Sequence, residues 1–96
     1  MGSHKVSDAK LERVLASIAP TTLPMQAFGP GPVEWFDRPR PVWAWVQWPH
    51  RSAERIACWA HAANDRVVFL RVPCEGGHWE PVVWRNAVRV RRPDER

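Results

Sequence analysis

The chain has 96 residues, of which 45% are apolar and 25% are charged, and its net charge at neutral pH is +4. This length supports a single small domain, and this composition excludes wholesale disorder. The chain also has seven tryptophans and no tyrosine. Because indole rings fill cores but also stack on bases and cations, the functional question is which tryptophans are buried and which are exposed.

The positive charge is concentrated in the second part of the chain. Residues 1–37 carry three basic and four acidic side chains, whereas residues 38–96 carry eleven basic and six acidic ones. All eleven of these later basic residues are arginine, which suits planar recognition of phosphate or carboxylate. A GC-rich genome would produce the same excess of arginine over lysine, so both interpretations stay open.

The sequence also predicts where the protein works. It has no stretch of 18 apolar residues, and its first residues lack the apolar core of a signal peptide. With two cysteines and no secretion signal, we expect a cytoplasmic protein with free thiols and no membrane partner.

Residues 1–20 are predicted to contain an amphipathic α-helix over residues 7–19. Ser7 suits the N-cap, Asp8 favours the positive end of the helix, and Pro20 ends it. One apolar stripe follows the helical period and consists of Leu11, Val14, Leu15 and Ile18. A helix this short must bury its stripe, either on the rest of the chain or on a partner or second subunit.

Residues 21–41 are predicted to form an extended, proline-rich strap over the surface of the domain. Six of the ten prolines lie between Pro20 and Pro41, and residues that precede proline favour extended conformations. Phe28, Trp35 and Phe36 are the apolar anchors of this strap.

Residues 42–92 have the pattern of a small β-domain, and residues 93–96 form a tail. Apolar and polar residues alternate in short runs that are separated by turn-forming residues. The pattern predicts five strands, over residues 42–48, 55–62, 67–72, 79–84 and 88–91.

The pairing of the second and third strands follows from the same alternation. A three-residue loop over residues 64–66 places small or apolar residues opposite one another, whereas a two-residue loop would place Cys58 opposite Arg71. The sequence therefore predicts cross-strand pairs of Ala63 with Val67, Ala60 with Leu70, and Cys58 with Val72.

The order of these elements resembles an SH3-like or Tudor-like small barrel. The resemblance covers residues 41–92 and rests on the opening strand 42–46, the long hairpin 55–72, and the run 83–88 with its one-turn break. It implies a binding module for nucleic acid, peptides or modified side chains. The expected fold class is mainly β, a five-stranded SH3-like barrel with an N-terminal α-helix and a proline-rich extended strap.

Basic and aromatic residues are predicted to share one outer surface of the hairpin and last strand. Arginine binds phosphates and indole stacks on bases, so this pattern suits DNA or RNA. We name this surface the arginine–tryptophan face; its predicted residues are Arg55, Trp59, Arg71, Arg89, Arg91 and Arg92. The alternative is that Trp59 and Arg71 form only a cross-strand pair on a solvated surface.

Two other kinds of binding site remain possible. Cys58, His61, Cys74 and His78 have spacings similar to a zinc finger, which would make this a zinc-stabilised domain. Residues three apart on a strand point to opposite faces, however, so we expect no metal or other cofactor. The other indoles could form a groove for a peptide, but they are better explained as rings that the strap and helix cover.

A non-catalytic binding module is the function that the sequence predicts. No nucleophile lies beside a histidine and an acid in a recognisable motif, and no glycine-rich phosphate loop is present. We therefore expect no enzyme. Nucleic-acid binding is the first hypothesis, and protein interaction or self-association through the helix stripe and exposed indoles is the alternative.

Overall fold

Six antiparallel strands make up about half of the residues in a computed structural model that describes residues 18–95. A 3-10 turn, Met25–Phe28, precedes the first strand, and a second, Arg85–Ala87, precedes the last. The strands are β1 (Glu34–Val46), β2 (Glu54–Ala63), β3 (Val67–Cys74), β4 (Gly77–Trp79), β5 (Val82–Trp84) and β6 (Val88–Val90). The antiparallel sheet is compatible with a small β-barrel-like fold.

The sheet has the order β4-β3-β2-β1-β6, and β5 also pairs with β3. The strands β4 and β5 lie along β3 in one continuous register, in which Val72 faces Trp79 and Phe69 faces Val82. Pro81 interrupts the ladder because it has no N–H to donate, although its carbonyl accepts the Leu70 N–H at 3.0 Å. The single strand predicted over residues 79–84 is therefore two short ones.

The inner side of the sheet is lined by small and branched side chains. On β1 the residues Val42, Ala44 and Val46 are buried, and the intervening Trp43 and Trp45 point to the other side. This alternation follows from the two-residue period of a strand. Leu70 is the largest of the fully buried side chains in the described part of the chain.

The predicted fold class is wrong in its elements. The structure has six strands rather than five, and the helical elements within residues 18–95 are the two 3-10 turns. The predicted helix over residues 7–19 lies outside the described residues, except for its last two. No helix in the described part is long and apolar enough to cross a membrane.

The last part of the predicted strap is also a strand. The strand β1 already begins at Glu34, so Arg40 and Pro41 pair with β2 instead of lying over it. Residues 36–39 bulge out between the paired segments, which lets the chain carry Pro39 without losing the ladder. Residues that precede proline favour an extended backbone, and this preference suits a β-strand as well as an extended strap.

The hairpin of β2 and β3 combines two registers. The predicted pair of Ala60 with Leu70 is confirmed, but Ala63 faces Val68 rather than the predicted Val67. A bulge at His61 absorbs the difference of one residue. The reason lies in the turn, where the Asn64 side chain accepts the Arg66 and Val67 N–H groups and tightens the loop.

Residues 21–28 run between the end of β1 and the strand β5. The Thr21 N–H donates to the Gln47 carbonyl beyond β1 at 2.7 Å, and the Leu23 N–H donates to Val82 on β5 at 2.9 Å. Further along, Phe28 packs edge-on against Phe69, with ring centroids 5.1 Å apart. These contacts hold the segment against the sheet without making it a strand.

Candidate functional site

A row of residues crosses the outer side of the sheet at the centre of the arginine–tryptophan face. The Arg91 N–H donates to the Pro41 carbonyl at 3.1 Å, Pro41 faces Trp59, and Trp59 faces Arg71. Cross-strand neighbours share one face, so Arg91 and Arg71 lie on the same side of the sheet as the Trp59 indole. The ring is 39% exposed, and it offers a flat surface to a ligand.

Arg91 holds the Trp59 ring in place. Its guanidinium carbon lies 5.2 Å from the ring centroid, and its Nε and Nη2 atoms donate to the carbonyls of Val42 and Cys58 at 3.3 and 3.2 Å. A guanidinium fixed by two backbone acceptors loses little further freedom when a ligand binds. Arg91 therefore orients the indole and contributes positive charge from a fixed position.

A cleft of about 390 Å³ lies beside Trp59. The Arg71 Nε atom is buried, and it has no hydrogen-bond partner among the described residues. Glu80 Oε1 lies 3.5 Å from this atom, a distance that supports an ionic contact but not a good hydrogen bond. The cleft is lined by Pro39, Trp59, Arg71, Pro73, Gly77 and His78.

Trp43 and two arginines form a second part of the face. The Arg55 guanidinium carbon lies 4.7 Å from the Trp43 ring centroid, and Arg89 faces Trp43 across the β1–β6 ladder. Arg89 is ion-paired with Glu95 at 3.0 Å, and the Trp43 Nε1 atom donates to the same carboxylate at 3.3 Å.

The Glu95 carboxylate is strongly stabilised in its charged form. The Arg92 backbone N–H, Arg89 and Trp43 all donate to it, and they lower its pKa to about 2. These donors form an anion-binding arrangement on the outer face, which the chain fills with its own carboxylate. Arg92 contributes through its backbone, and its side chain is exposed.

The structure thus brings five of the six predicted face residues to one side of the sheet and places Arg92 just beyond β6. Sequence reasoning missed the cleft walls Pro39, Pro73 and His78, and it missed Glu80 and Glu95 as ion-pair partners. Two of these cleft residues could have been found from the turn between β3 and β4. A hairpin at this turn places His78 opposite Pro73, as the structure shows.

Two of the indoles that the strap and helix were predicted to cover are exposed. Trp45 and Trp84 are 54% and 48% exposed, so the described residues do not cover these two rings. Trp79 is half-buried against the core, and Trp35, a predicted anchor of the strap, is 64% exposed. Trp45 and Trp84 border a groove of about 120 Å³ that residues 21–23 close on one side. Of the predicted partner-binding stripe, Ile18 is exposed, whereas Leu11, Val14 and Leu15 lie outside the described residues.

The four residues with zinc-like spacing do not form a metal site. Cys58 is fully buried in the core, and its burial raises the pKa of the thiol to about 11. His61 instead packs on the outer side, 5.6 Å from Trp35 and 6.3 Å from Phe69 between ring centroids. Residues 18–95 contain no group of three or more histidine, cysteine or acidic side chains that could hold a metal ion.

Comparisons with protein families, with curated proteins and with solved structures gave no match to this chain. The function must therefore be inferred from the chemistry of the exposed surface itself. That surface presents a fixed indole between two guanidiniums, and a cleft beside it.

Proposed function

We propose that the protein is a non-catalytic module that binds single-stranded nucleic acid through the arginine–tryptophan face. The observation that carries this proposal is the Trp59 indole, exposed and fixed between Arg91 and Arg71. Every base has a π-face, so such a ring stacks on unpaired bases with little sequence preference. A base that stacks on Trp59 enters the cleft between the two prolines.

Arg71 supplies a donor for the phosphate next to that base. Its side chain is 43% exposed and lines the cleft, so its guanidinium can donate to a phosphate oxygen there. The neighbouring Glu80 forms only an exposed ion pair with Arg71 at 3.5 Å. Such pairs contribute little free energy, so a phosphate can take the place of the carboxylate.

Single strands fit this face better than duplexes for a geometric reason. The Trp59 ring is 39% exposed and lies on a strand, so it cannot insert between stacked bases. A base must instead leave its stack to reach the ring. Bases in a duplex are stacked on each other and present only their edges. Arg55 and Arg92 then extend the positive surface along the backbone of a bound strand.

The fold itself supports a binding module. We propose that residues 34–92 form an SH3-like or Tudor-like barrel, because β1 pairs with both β2 and β6 and a 3-10 turn precedes the last strand. The two free cysteines, Cys58 and Cys74, fit a protein of the reducing cytoplasm.

The test is fluorescence anisotropy with a labelled 12-nucleotide oligo(dT) and the full chain. Affinity should fall roughly tenfold between 50 and 200 mM salt, because each neutralised phosphate releases counterions. Replacing the stacking ring in W59A should weaken binding roughly 5- to 100-fold, whereas W59F retains most of the affinity. The matched control is W84A, which removes an exposed indole outside the face and should leave affinity unchanged.

Three results would contradict this function. They are a flat salt response, equal losses in W59A and W84A, and tighter binding of a duplex of the same length than of the single strand. Trp59 is 39% exposed, so its replacement should leave the protein folded. Circular dichroism spectra and melting temperatures of the variants check this, and they separate a binding defect from unfolding.

A second candidate is a protein-interaction or assembly module, which the exposed Trp45 and Trp84 favour. Their rings border an apolar groove, and exposed indoles are typical anchors of protein interfaces. Deletion of residues 1–20 should then abolish dimerisation or partner binding and leave the sheet folded. Sedimentation analysis of both chains is the measurement, and an unchanged oligomeric state and partner set would exclude this candidate.

A further inference from the structure

A cavity of about 440 Å³ opens on the inner side of the sheet, opposite to the arginine–tryptophan face. This volume lies in the range of sites that hold small molecules. Its apolar lining is Phe36, Val42, Ala60, Val68, Val88 and Val90. We call it the mouth cavity.

Val90 shows that this cavity is open rather than filled by its own surroundings. It pairs with Val42 across the β1–β6 ladder, so both side chains point to the inner side of the sheet. Val42 is 5% exposed, but Val90 is 74% exposed. An inward-facing valine of a small domain is normally covered, and residues 18–95 provide no cover for this one.

Arginine is the charged residue type of the lining. Arg40 and Arg85 line the cavity, and neither is ion-paired with any other residue among 18–95. The Arg40 guanidinium carbon lies 3.8 Å from the Phe36 ring centroid, and Arg85 donates to the Asn64 carbonyl. Both positions are fixed by contacts that leave further N–H donors available.

The cavity lining contains no aspartate or glutamate. Arg89 also lines it, but that side chain is occupied by Glu95 on the outer face. Among residues 18–95, the positive charge of Arg40 and Arg85 at the mouth cavity therefore has no acidic partner. A ligand with an anionic group is attracted to these two arginines, whereas a cationic ligand is repelled.

We propose that the mouth cavity binds a small amphipathic carboxylate, of the class of a medium-chain fatty acid. The apolar chain lies against Val42, Val88 and Val90, and the carboxylate accepts hydrogen bonds from Arg40 and Arg85. Arginine forms paired hydrogen bonds with a carboxylate, which places the anionic end of the ligand at the arginines. This site shares only Arg89 with the arginine–tryptophan face, uses no Arg89 donor, and does not depend on the function proposed for that face.

The experiment is isothermal titration calorimetry with decanoate, kept below its micelle-forming concentration, and the full chain. Saturable binding of one decanoate per protein is expected. Decanol and decyltrimethylammonium, which have the same chain without the negative charge, should bind at least about tenfold more weakly, since they lose the charge-assisted hydrogen bonds.

Variants assign the binding to the mouth cavity. The R40Q/R85Q variant should weaken decanoate binding about tenfold and leave decanol binding unchanged. V90D places a carboxylate at the exposed inner valine and should abolish decanoate binding, whereas V90L preserves it. The matched control is R51Q at the opposite end of β1, which changes an exposed arginine and should have no effect.

Several outcomes would overturn the proposal. One is equal affinity for decanoate and decanol, which would indicate only apolar adsorption. Another is decanoate binding that appears only after deletion of residues 1–17, because the occupant would then be a segment of this chain. Displacement of decanoate by oligo(dT) would place the carboxylate on the outer face, whereas failure of oligo(dT) to bind leaves this proposal intact.

Discussion

The two sides of the sheet differ in the size of their apolar side chains. The buried apolar side chains of the inner side, such as Val42, Ala44 and Cys58, are no larger than leucine, whereas the outer side carries the indoles of Trp43, Trp45 and Trp59. The arginines also differ, since Arg71 and Arg89 on the outer face have acidic partners, whereas Arg40 and Arg85 at the mouth cavity have none among residues 18–95. Most of the tryptophans in the described chain therefore belong to the surface, and Trp48 and Trp79 are the ones that pack, half-buried, against the core.

The two cysteines give the sharpest test of this difference between the sides. Cys58 is inside with a pKa of about 11, whereas Cys74 is half-buried at the end of β3. Alkylation by iodoacetamide at pH 8 should modify Cys74 first, and Cys58 about a thousandfold more slowly, because its thiolate forms only when the protein opens. Mass spectrometry of timed samples measures both rates, and equal rates would contradict the buried position of Cys58.

Truncation of side chains on the two sides should have unequal costs. Leu70→Ala removes a fully buried side chain and should lower the free energy of unfolding by about 2–5 kcal/mol. Trp45→Ala removes a larger but half-exposed ring and should cost about 1 kcal/mol or less. Urea denaturation measures both, and a greater loss from the tryptophan would show that the indoles do support the core.

The tip of the β2–β3 hairpin should be the next most sensitive position. The buried Asn64 accepts two backbone N–H groups and donates to the Phe28 carbonyl at 3.0 Å. Asn64→Ala should cost about 1–3 kcal/mol, because these groups lose their partners. Asn64→Asp keeps the acceptor and should lose less, and thermal melts of the three proteins rank them. Equal stability of all three would contradict the role of this side chain in setting the register.

The smallest expected effect concerns pH and His61. Burial, and then the charge of Arg71, lower the pKa of His61 below 6.5, while Glu80 raises it and His78 lowers it. The unfolded chain thus takes up this proton first as the pH falls. The stabilisation from neutral His61 is complete above about pH 6.5 and is lost as the pH falls through the folded pKa.

A variant without the imidazole isolates the contribution of His61 to the pH dependence of stability. His61→Gln should show a flatter decline of unfolding free energy between pH 7 and 5 than the parent chain, since acids elsewhere titrate alike in both proteins. Chemical denaturation across this range is the measurement. A parallel decline in the two proteins would show that His61 does not titrate differently in the folded state.

Much of the strand pattern could be predicted because period-two alternation acts locally. Residues 42–46 and the pair of Ala60 with Leu70 follow directly from it. The bulge at His61 could not be predicted, because it results from a competition between the Asn64 turn and the pairing of the two strands. The six strands in place of five have a similar origin, since Pro81 divides a ladder whose register runs on unbroken.

The sequence predicted which residues share the face of the candidate site, but not the contacts that fix their side chains. Alternation alone placed Trp59 and Arg71 on one outer face, and the structure puts them opposite each other. It could not predict that Arg91 is fixed by the Val42 and Cys58 carbonyls, because those contacts span 49 and 33 residues. The mouth cavity went unpredicted for the same reason, as its lining comes from four different strands and the second 3-10 turn.

The sequence by itself determined that this is a small β-rich protein with a basic second part, and which face of each regular strand a residue occupies. Those properties depend on composition and on the geometry of neighbouring residues. Within residues 18–95, only the tertiary structure decided which rings are exposed, which arginines have acidic partners, and where the described residues leave the inner side open. Each of these depends on residues far apart in the chain, whose distances the pairing of strands sets and no local pattern contains.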